Sequence, residues 1–220
     1  MNVVLFGATG MIGSAVLLEC LDAAEVKSVL VVGRRACGVS HSKLKEAIVE
    51  DLFKLDAVSF AGCDACFFCL GVSVVGMGEP DYRRVTYDLT LSVARAVVAV
   101  APKSVFVYVT GKNTDSTEQG PAMWARVKGK TENDLMRLGF RGAYMFRPGI
   151  IQPLRGVRSS TAWYQAFYNV FGPFLTFLRW LSPSLFLTSV DMGRAMISVA
   201  ARGYPKPILE IADIHAAARA

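Results

Sequence analysis

The sequence contains no block of basic residues, no internal repeat and no low-complexity segment. Its 24 lysines and arginines outnumber its 18 acidic residues, but they are scattered over the 220 positions. Scattered charge matches no nucleic-acid-binding motif, and a positive balance suits small anionic ligands. We therefore expect a small-molecule substrate, which the sequence does not identify, and no nucleic-acid partner.

Neither an N-terminal leader nor an uninterrupted apolar span is expected. An apolar strand begins by residue 3, which leaves no room for the charged start of a signal sequence and predicts a cytoplasmic protein. The candidate membrane window, within residues 160–187, is interrupted by Pro173, Arg179 and Pro183. No membrane span is therefore expected.

Cysteine is scarce, and five copies, an odd number in a chain without a secretion signal, favour free thiols. Cys63, Cys66 and Cys69 have a spacing that resembles a metal cluster. Residues 65–70 predict a buried strand, however, and residues three apart on a strand point to opposite faces of the sheet. Cys66 and Cys69 are therefore not expected to hold one ion, and no metal site is predicted.

The clearest positive signal is the opening stretch, residues 2–13. Apolar residues 3–6 predict a buried strand, glycines follow at every third position, and a helical pattern begins at Ser14. This order is typical of a dinucleotide-binding loop, with an ordinary glycine-rich turn as the alternative. Gly7 would permit the turn, Gly10 the approach of a pyrophosphate, and Gly13 close packing of helix on strand. The predicted contact residues are Gly7, Ala8, Thr9, Gly10, Met11, Ile12 and Gly13.

Strands and helices alternate along the rest of the chain. The further predicted strands are 28–32, 45–51, 65–69, 105–110, 143–146 and 208–211. The further predicted helices are 80–100, 121–138, 189–201 and 213–220. The predicted buried stripe of helix 80–100 consists of Val85, Leu89, Val93, Ala96, Val97 and Val100. This alternation predicts an α/β fold with a doubly wound parallel sheet, the Rossmann fold.

Two arginines follow the second predicted strand. NAD-binding proteins usually have an acidic residue at this place, which accepts hydrogen bonds from the adenosine ribose. Arg34 and Arg35 instead offer planar guanidinium groups, which suit a 2′-phosphate. They predict NADP as the cofactor, with a solvated charged turn as the alternative.

Four motifs together resemble one protein family. They are Gly7-x-x-Gly10-x-x-Gly13, Cys69-Leu70-Gly71, Val127-Lys128-Gly129-Lys130-Thr131-Glu132 and Phe146-Arg147-Pro148-Gly149. They resemble the atypical and extended short-chain dehydrogenase/reductases, in particular the Tat-interacting oxidoreductase-like proteins and their bacterial relatives.

The resemblance implies further cofactor contacts. Asp51 would meet the adenine amino group, although it could also cap a helix over residues 52–58. Gly71 would let the backbone pass close to the ribose. The full set that the resemblance adds is Asp51, Leu52, Cys69, Leu70, Gly71, Lys128, Pro148 and Gly149.

The same family reduces carbonyls with a Tyr-x-x-x-Lys pair on a helix and a serine or threonine after the preceding strand. Tyrosine donates a proton, lysine binds the nicotinamide ribose and lowers the tyrosine pKa, and the hydroxyl polarises the carbonyl. The resemblance makes Lys128 and Thr110 the candidate catalytic residues. The tyrosine position is Trp124, whose indole N–H cannot exchange a proton near neutral pH. The alternative proton donors are Tyr108, Tyr164 and Tyr168.

We divide the chain into a dinucleotide-binding core at 1–150, an aromatic-rich lid or substrate segment at 151–187, and C-terminal helices at 188–220 that return to the core. The aromatic segment is equally compatible with a helix packed on the sheet edge and with the face of a homodimer. Thr188 and Asp191 predict a capping box. Two function classes stay open: an NADP-dependent oxidoreductase or epimerase, and a nucleotide-binding regulator or redox sensor without turnover.

Overall fold

A seven-stranded parallel sheet forms the centre of the protein, whose computed structural model describes residues 1–155 and 186–220. The strands are β1 (Asn2–Phe6), β2 (Ser28–Gly33), β3 (Leu44–Ile48), β4 (Ala65–Phe68), β5 (Val105–Val109), β6 (Gly142–Phe146), β7 (Ile150–Gln152), β8 (Phe186–Thr188) and β9 (Ile208–Leu209). The sheet has the order β3-β2-β1-β4-β5-β6-β9, and β7 pairs separately with β8. Every pair is parallel. The predicted doubly wound fold is confirmed.

Helices cover both faces of this sheet. They are α1 (Met11–Asp22), α2 (Glu79–Arg83), α3 (Leu89–Val100), α4 (Met123–Leu135), α5 (Ser189–Arg202) and α6 (Ile211–Arg219). Buried residues of α1, α5 and α6 share one apolar core, and those of α3 and α4 share the core on the opposite face. None of the helices in the described ranges is long and apolar enough to cross a bilayer.

The strand order places the candidate site. Strand β2 lies on one side of β1 in the sheet, and β4 lies on the other. The loops that follow β1 and β4 therefore run in opposite directions, which leaves a crevice at the carboxyl ends of these two strands. Phe6 and Phe68, the last residues of these strands, are register partners. The glycine loop after β1 and the segment after β4 are therefore neighbours at one edge of the sheet.

The segment after β3 differs from its prediction. Strand β3 ends at Ile48 rather than at residue 51, and residues 52–58 form turns instead of a helix. Asp51 stabilises the first turn, since its Oδ1 accepts a hydrogen bond from the Phe53 backbone N–H at 3.0 Å. So short a segment forms too few helical hydrogen bonds to offset helix nucleation.

Predicted helix 80–100 contains a π-helical turn, Arg84–Asp88, between α2 and α3. The wider turn rotates the buried face, since it holds one more residue than an α-helical turn. Leu89, Val93 and Val97 are buried as predicted, whereas Val85 and Ala96 are only half-buried and Val100 is 57% exposed. Buried positions outside the predicted stripe are Tyr82, Thr86, Thr90, Leu91 and Ala94.

The predicted aromatic segment lies almost entirely outside the described residues, as do Tyr164 and Tyr168. On its far side, the predicted capping box is present at the start of α5. The Thr188 hydroxyl accepts from the Asp191 N–H at 3.0 Å, and the Thr188 N–H donates to Asp191 Oδ2 at 2.8 Å. His215 lies beside this box, with Nε2 2.9 Å from the Phe186 carbonyl oxygen and Nδ1 4.0 Å from Asp191 Oδ2.

Removal of the capping hydroxyl should destabilise the protein. Thr188→Ala leaves the Asp191 N–H without its acceptor, and we expect a loss of about 1 kcal/mol in the free energy of unfolding, measured by urea denaturation. Thr188→Ser keeps the oxygen and should retain most of the stability. Equal losses in both variants would show that the threonine methyl group, rather than the cap, matters.

Candidate functional site

The glycine loop makes a tight turn off β1. Gly7 has φ +87°, a left-handed conformation that favours glycine, and the Gly10 N–H donates to the Gly7 carbonyl at 2.9 Å. A Cβ on Gly7 would lie 2.7 Å from the carbonyl carbon of Cys69. The turn is therefore packed directly against the segment that follows β4.

The first turn of α1 packs tightly against the glycine loop at Gly13 and less tightly at Gly10. A Cβ on Gly13 would lie 2.0 Å from the Gly7 carbonyl oxygen, so only glycine lets the helix approach this closely. A Cβ on Gly10 would meet that same oxygen at 3.4 Å, an ordinary contact. No side chain caps the helix at Gly10, and its backbone N–H groups and positive dipole end can face an anion. The other predicted contacts of this loop are Ala8, which is buried, Thr9, which is exposed, and Met11 and Ile12, which are half-buried.

The loop after β2 presents two cations to solvent. Arg34 and Arg35 directly follow the last residue of β2, Gly33, and both side chains are exposed. Neither forms an ion pair with any residue in the described ranges. Asp51 and the buried Leu52 follow the neighbouring strand β3. The adenine contact of Asp51 stays a prediction, since its carboxylate accepts from Phe53 within its own turn.

The segment after β4 runs beside the glycine loop. The Cys69 N–H donates to the Phe6 carbonyl at 3.0 Å, which continues the pairing of β4 with β1. A Cβ on Gly71 would have no atom within 4 Å, so the space next to Leu70 and Gly71 is open. Cys66 is buried in one apolar core whereas Cys69 packs against the other, so the predicted opposite orientation is confirmed.

Lys128 lies on α4, above the end of β5. Its Nζ donates to the backbone carbonyl of Thr110 at 2.8 Å. Burial lowers the pKa of Lys128 to about 8, and the negative charge of Glu132 partly opposes this shift. The group therefore stays mostly protonated at pH 7. Trp124 is half-buried one turn earlier on the same helix.

The side chain of Thr110 is engaged with the protein. Thr110 is 7% exposed, and its hydroxyl lies 2.7 Å from Glu132 Oε1 and 3.1 Å from the carbonyl oxygen of Phe146. The carboxylate is the stronger acceptor of its one proton. Polarisation of a substrate carbonyl by Thr110 stays a prediction, and the hydroxyl would have to leave Glu132 for it.

A buried ion pair that the sequence reasoning missed holds this region together. Glu132 is fully buried, and Arg147, which follows β6, donates to it from Nε at 3.1 Å and also from Nη2. Nη2 donates as well to Ser116 Oγ at 2.6 Å. Glu132 and Arg147 belong to two of the family motifs. The sequence signal for the pair is that Glu132 falls on the buried face of α4, where a carboxylate requires a cationic partner. Pro148, next to Arg147, accepts from the Lys112 N–H at 2.8 Å, and Gly149 is half-buried beside it.

Gly129, in the motif of residues 127–132, allows close packing of α4. A Cβ at this position of α4 would lie 1.8 Å from the backbone oxygen of Asp115. The Asp115 N–H in turn donates to the Ala125 carbonyl at 3.1 Å. Glycine thus lets α4 contact the loop after β5 with its main chain.

Tyr108 does not supply the missing phenol. It is 2% exposed, its ring packs 5.9 Å from that of Phe68, and burial raises the pKa of its hydroxyl. A group so placed neither meets a substrate nor gives up a proton near neutral pH. The other tyrosines in the described ranges are buried or engaged elsewhere: Tyr82 is buried, Tyr87 donates to Asp134, Tyr144 accepts from the N–H of Tyr204, and the Tyr204 hydroxyl donates to Asp213.

Comparison with curated proteins identifies relatives, although no family model matches the chain. Protein FMP52, mitochondrial, of Meyerozyma guilliermondii is 26% identical over 157 residues, which cover 69% of this chain and 65% of that protein. Protein HTATIP2 of Rattus norvegicus is 29% identical over 155 residues, which cover 68% and 62%. The chain thus spans about two thirds of the length of the relatives it matches.

Solved structures show the same fold. MoeE5 in complex with UDP-glucose and NAD has a TM-score of 0.67 at 18% identity, covering 96% of this chain and 75% of that one. An oxidoreductase of the short-chain dehydrogenase/reductase family from Burkholderia thailandensis has the same TM-score and identity, covering 96% and 90%. The chain is similar in sequence to HTATIP2 and FMP52, and it shares the fold of these solved structures. The resemblance drawn from its motifs is confirmed.

The predicted cytoplasmic location is wrong by this comparison. The FMP52 proteins of several fungi are named as mitochondrial. The prediction used only the early position of the first strand, and the place of a strand in a sequence carries no information about the compartment.

Two glycine substitutions should separate the fold from the proposed binding of a dinucleotide. Gly13→Ala forces a Cβ against the Gly7 carbonyl and should lower the free energy of unfolding by about 1–3 kcal/mol. Gly10→Ala fits the fold but places a methyl group where a pyrophosphate would approach. It should keep its melting temperature and lose roughly tenfold or more in NADPH affinity by calorimetry. Unchanged affinity in a folded Gly10→Ala variant would exclude this loop as the pyrophosphate site.

Proposed function

We propose that the protein is an NADP(H)-binding oxidoreductase of the short-chain dehydrogenase/reductase type in which Trp124 replaces the proton-donating tyrosine. The observation that carries the cofactor choice is the exposed pair Arg34 and Arg35, which directly follows β2 and is free of carboxylate partners in the described ranges. The related fold of MoeE5, which is solved with NAD, supports dinucleotide binding in general.

The cofactor would lie across the carboxyl ends of β1, β2 and β4. The uncapped start of α1 offers backbone N–H groups to the pyrophosphate, and Gly10 has no Cβ to obstruct its approach. Arg34 and Arg35 would hold the 2′-phosphate, and Gly71 would lie beside the ribose. Lys128 would donate to the hydroxyls of the nicotinamide ribose. The bound cofactor would supply hydride transfer, and the chain its position and electrostatic environment.

A second function is favoured by a different observation. Thr110 donates its hydroxyl to Glu132, and no described tyrosine hydrogen-bonds to Lys128. The groups proposed to bind the cofactor need no proton transfer, whereas the candidate groups for moving a proton are engaged, as Thr110 is, or replaced, as the tyrosine is by Trp124. This arrangement suits a nucleotide-binding regulator or redox sensor without turnover. The names of the FMP52 relatives make the mitochondrion the compartment in which to test either function.

Arg34 should discriminate between the two cofactors. Hydrogen bonds to a charged phosphate contribute on the order of 1.5–3 kcal/mol each, so Arg34→Ala should weaken NADPH binding by at least about tenfold and leave NADH binding almost unchanged. Calorimetric titration of wild type and variant with both cofactors measures this. Equal losses for both, or tighter binding of NADH by the wild type, would contradict the proposal.

Trp124→Tyr should test whether only the proton donor is missing. The new phenol would lie one helical turn from Lys128, whose charge would lower its pKa, and general acid catalysis is worth roughly 10²–10⁴ in rate. We expect carbonyl reduction with NADPH to appear or rise on small ketones and aldehydes.

Lys128→Met serves as the matched control in that experiment. The activity should vanish in Trp124→Tyr/Lys128→Met, and Lys128→Met should weaken NADPH binding without unfolding the protein. A folded, cofactor-binding Trp124→Tyr variant that stays inactive would favour the regulator. A destabilised variant would instead identify Trp124 as a packing residue.

A further inference from the structure

Glu132 contacts neither solvent nor the cleft, yet its hydrogen bonds lead to Lys128. Oε1 accepts from the Thr110 hydroxyl at 2.7 Å and from Arg147 Nε at 3.1 Å, and Oε2 accepts from Arg147 Nη2. A carboxylate held by this many donors has one orientation. Thr110 in turn uses its backbone carbonyl to accept from Lys128 Nζ at 2.8 Å.

Thr110 therefore links the buried pair to the lysine. Its hydroxyl is fixed by Glu132, its N–H donates to the Phe146 carbonyl at 2.8 Å, and its carbonyl receives the ammonium group. Because the hydroxyl and the N–H of Thr110 are both fixed by hydrogen bonds, the direction of its carbonyl is fixed as well. Lys128 and Glu132 are also one turn apart on α4, so the carboxylate charge lies near the ammonium.

We propose that the buried Glu132–Arg147 pair positions Lys128 for cofactor binding: it fixes Thr110, whose carbonyl holds the ammonium group, and it places a carboxylate one helical turn from that group. This inference rests on the proposed function, in which Lys128 contacts the nicotinamide ribose. Glu132 and Arg147 are positioning residues and touch no reactant.

Among the charged residues around Lys128, Glu132 is the one that raises the pKa of its ammonium group. Glu132 lies on its own helix and Arg147 at the end of β6, while the loop after β5 carries Lys112 and Asp115. The Asp115 carboxylate is engaged with the hydroxyl and N–H of Thr117 and with the N–H of Gly120. Burial lowers the pKa of Lys128, and within the described part of the chain the opposing charge is that of Glu132.

The direct test is a titration of Lys128 in the protein without cofactor. NMR of lysine labelled with ¹³C at Cε, assigned by the signal lost in Lys128→Met, should give a wild-type midpoint of about 8. Glu132→Gln keeps the shape of the side chain and removes the charge, so the midpoint should fall by about one pH unit or more. The affinity for NADPH at pH 7.5 should fall by about threefold to tenfold, since less Lys128 is charged.

Glu210→Gln is the matched control. Glu210 also pairs with Arg147, at 3.4 Å, but its side chain is 50% exposed and it has no link to Thr110. This variant should leave both the Lys128 midpoint and the NADPH affinity unchanged. An equal shift in Glu210→Gln and Glu132→Gln would overturn the inference.

Glu132→Gln leaves Arg147 with no buried partner and could fail to fold. The double variant Glu132→Gln/Arg147→Gln removes both charges. It should still show a lowered Lys128 midpoint, but a smaller fall than Glu132→Gln, because the neighbouring Arg147 cation is lost as well. An unchanged midpoint in a folded variant that lacks the carboxylate would overturn the inference. A lowered midpoint in a protein whose wild type does not bind NADPH would support the effect on Lys128 and reject the proposed function.

Discussion

The buried ion pair between Glu132 and Arg147 is the constraint on which the candidate site depends. A fully buried carboxylate is tolerated only if its partners remain in place, and removal of one partner from such a pair typically costs about 3–5 kcal/mol. The partners come from α4, from the end of β6 and, through Thr110, from the end of β5. The helix that carries Lys128 is therefore held at a fixed position over the carboxyl ends of two strands.

Close main-chain contact at glycines is the second device that builds the site. Gly13 lets α1 approach the turn after β1, and Gly129 lets α4 approach the loop after β5. In each case a Cβ would overlap a backbone oxygen, which cannot move as a side-chain end can. Each of the two helices is thus held against its neighbouring loop by backbone contact rather than by side-chain rotamers.

The sequence predicts the fold well because its signals are local. Apolar runs covered on both faces identified the strands, and the glycine spacing identified the turn, its packing residue and the start of α1. The π-helical turn before α3 was not predicted, because one extra residue in a turn leaves the apolar spacing on either side nearly intact. The buried face shifts at this turn, so that Val85 is only half-buried whereas Thr86 is buried.

The site was predicted less completely, since its decisive contacts join distant segments. Glu132 and Arg147 were visible as parts of two motifs, but nothing in their spacing indicates that they meet. The same holds for Gly129 and Asp115, whose contact depends on the path of an irregular loop. Tyr108 looked available because it shares a strand face with Thr110, yet that face is covered by packed aromatic rings and helices.

These contacts separate cofactor binding from proton transfer in physical terms. Binding would use backbone N–H groups, exposed guanidinium groups and one lysine that keeps most of its charge at neutral pH, none of which requires a phenol. The proton transfer that the family resemblance implies would need a hydroxyl free to reach the substrate, and here the Thr110 hydroxyl faces a buried carboxylate. While the Thr110 hydroxyl donates to Glu132, it stabilises the buried carboxylate and cannot donate to a substrate carbonyl. The same pair that holds Lys128 in position therefore withholds Thr110 from chemistry, and a change that freed the hydroxyl would also loosen the lysine.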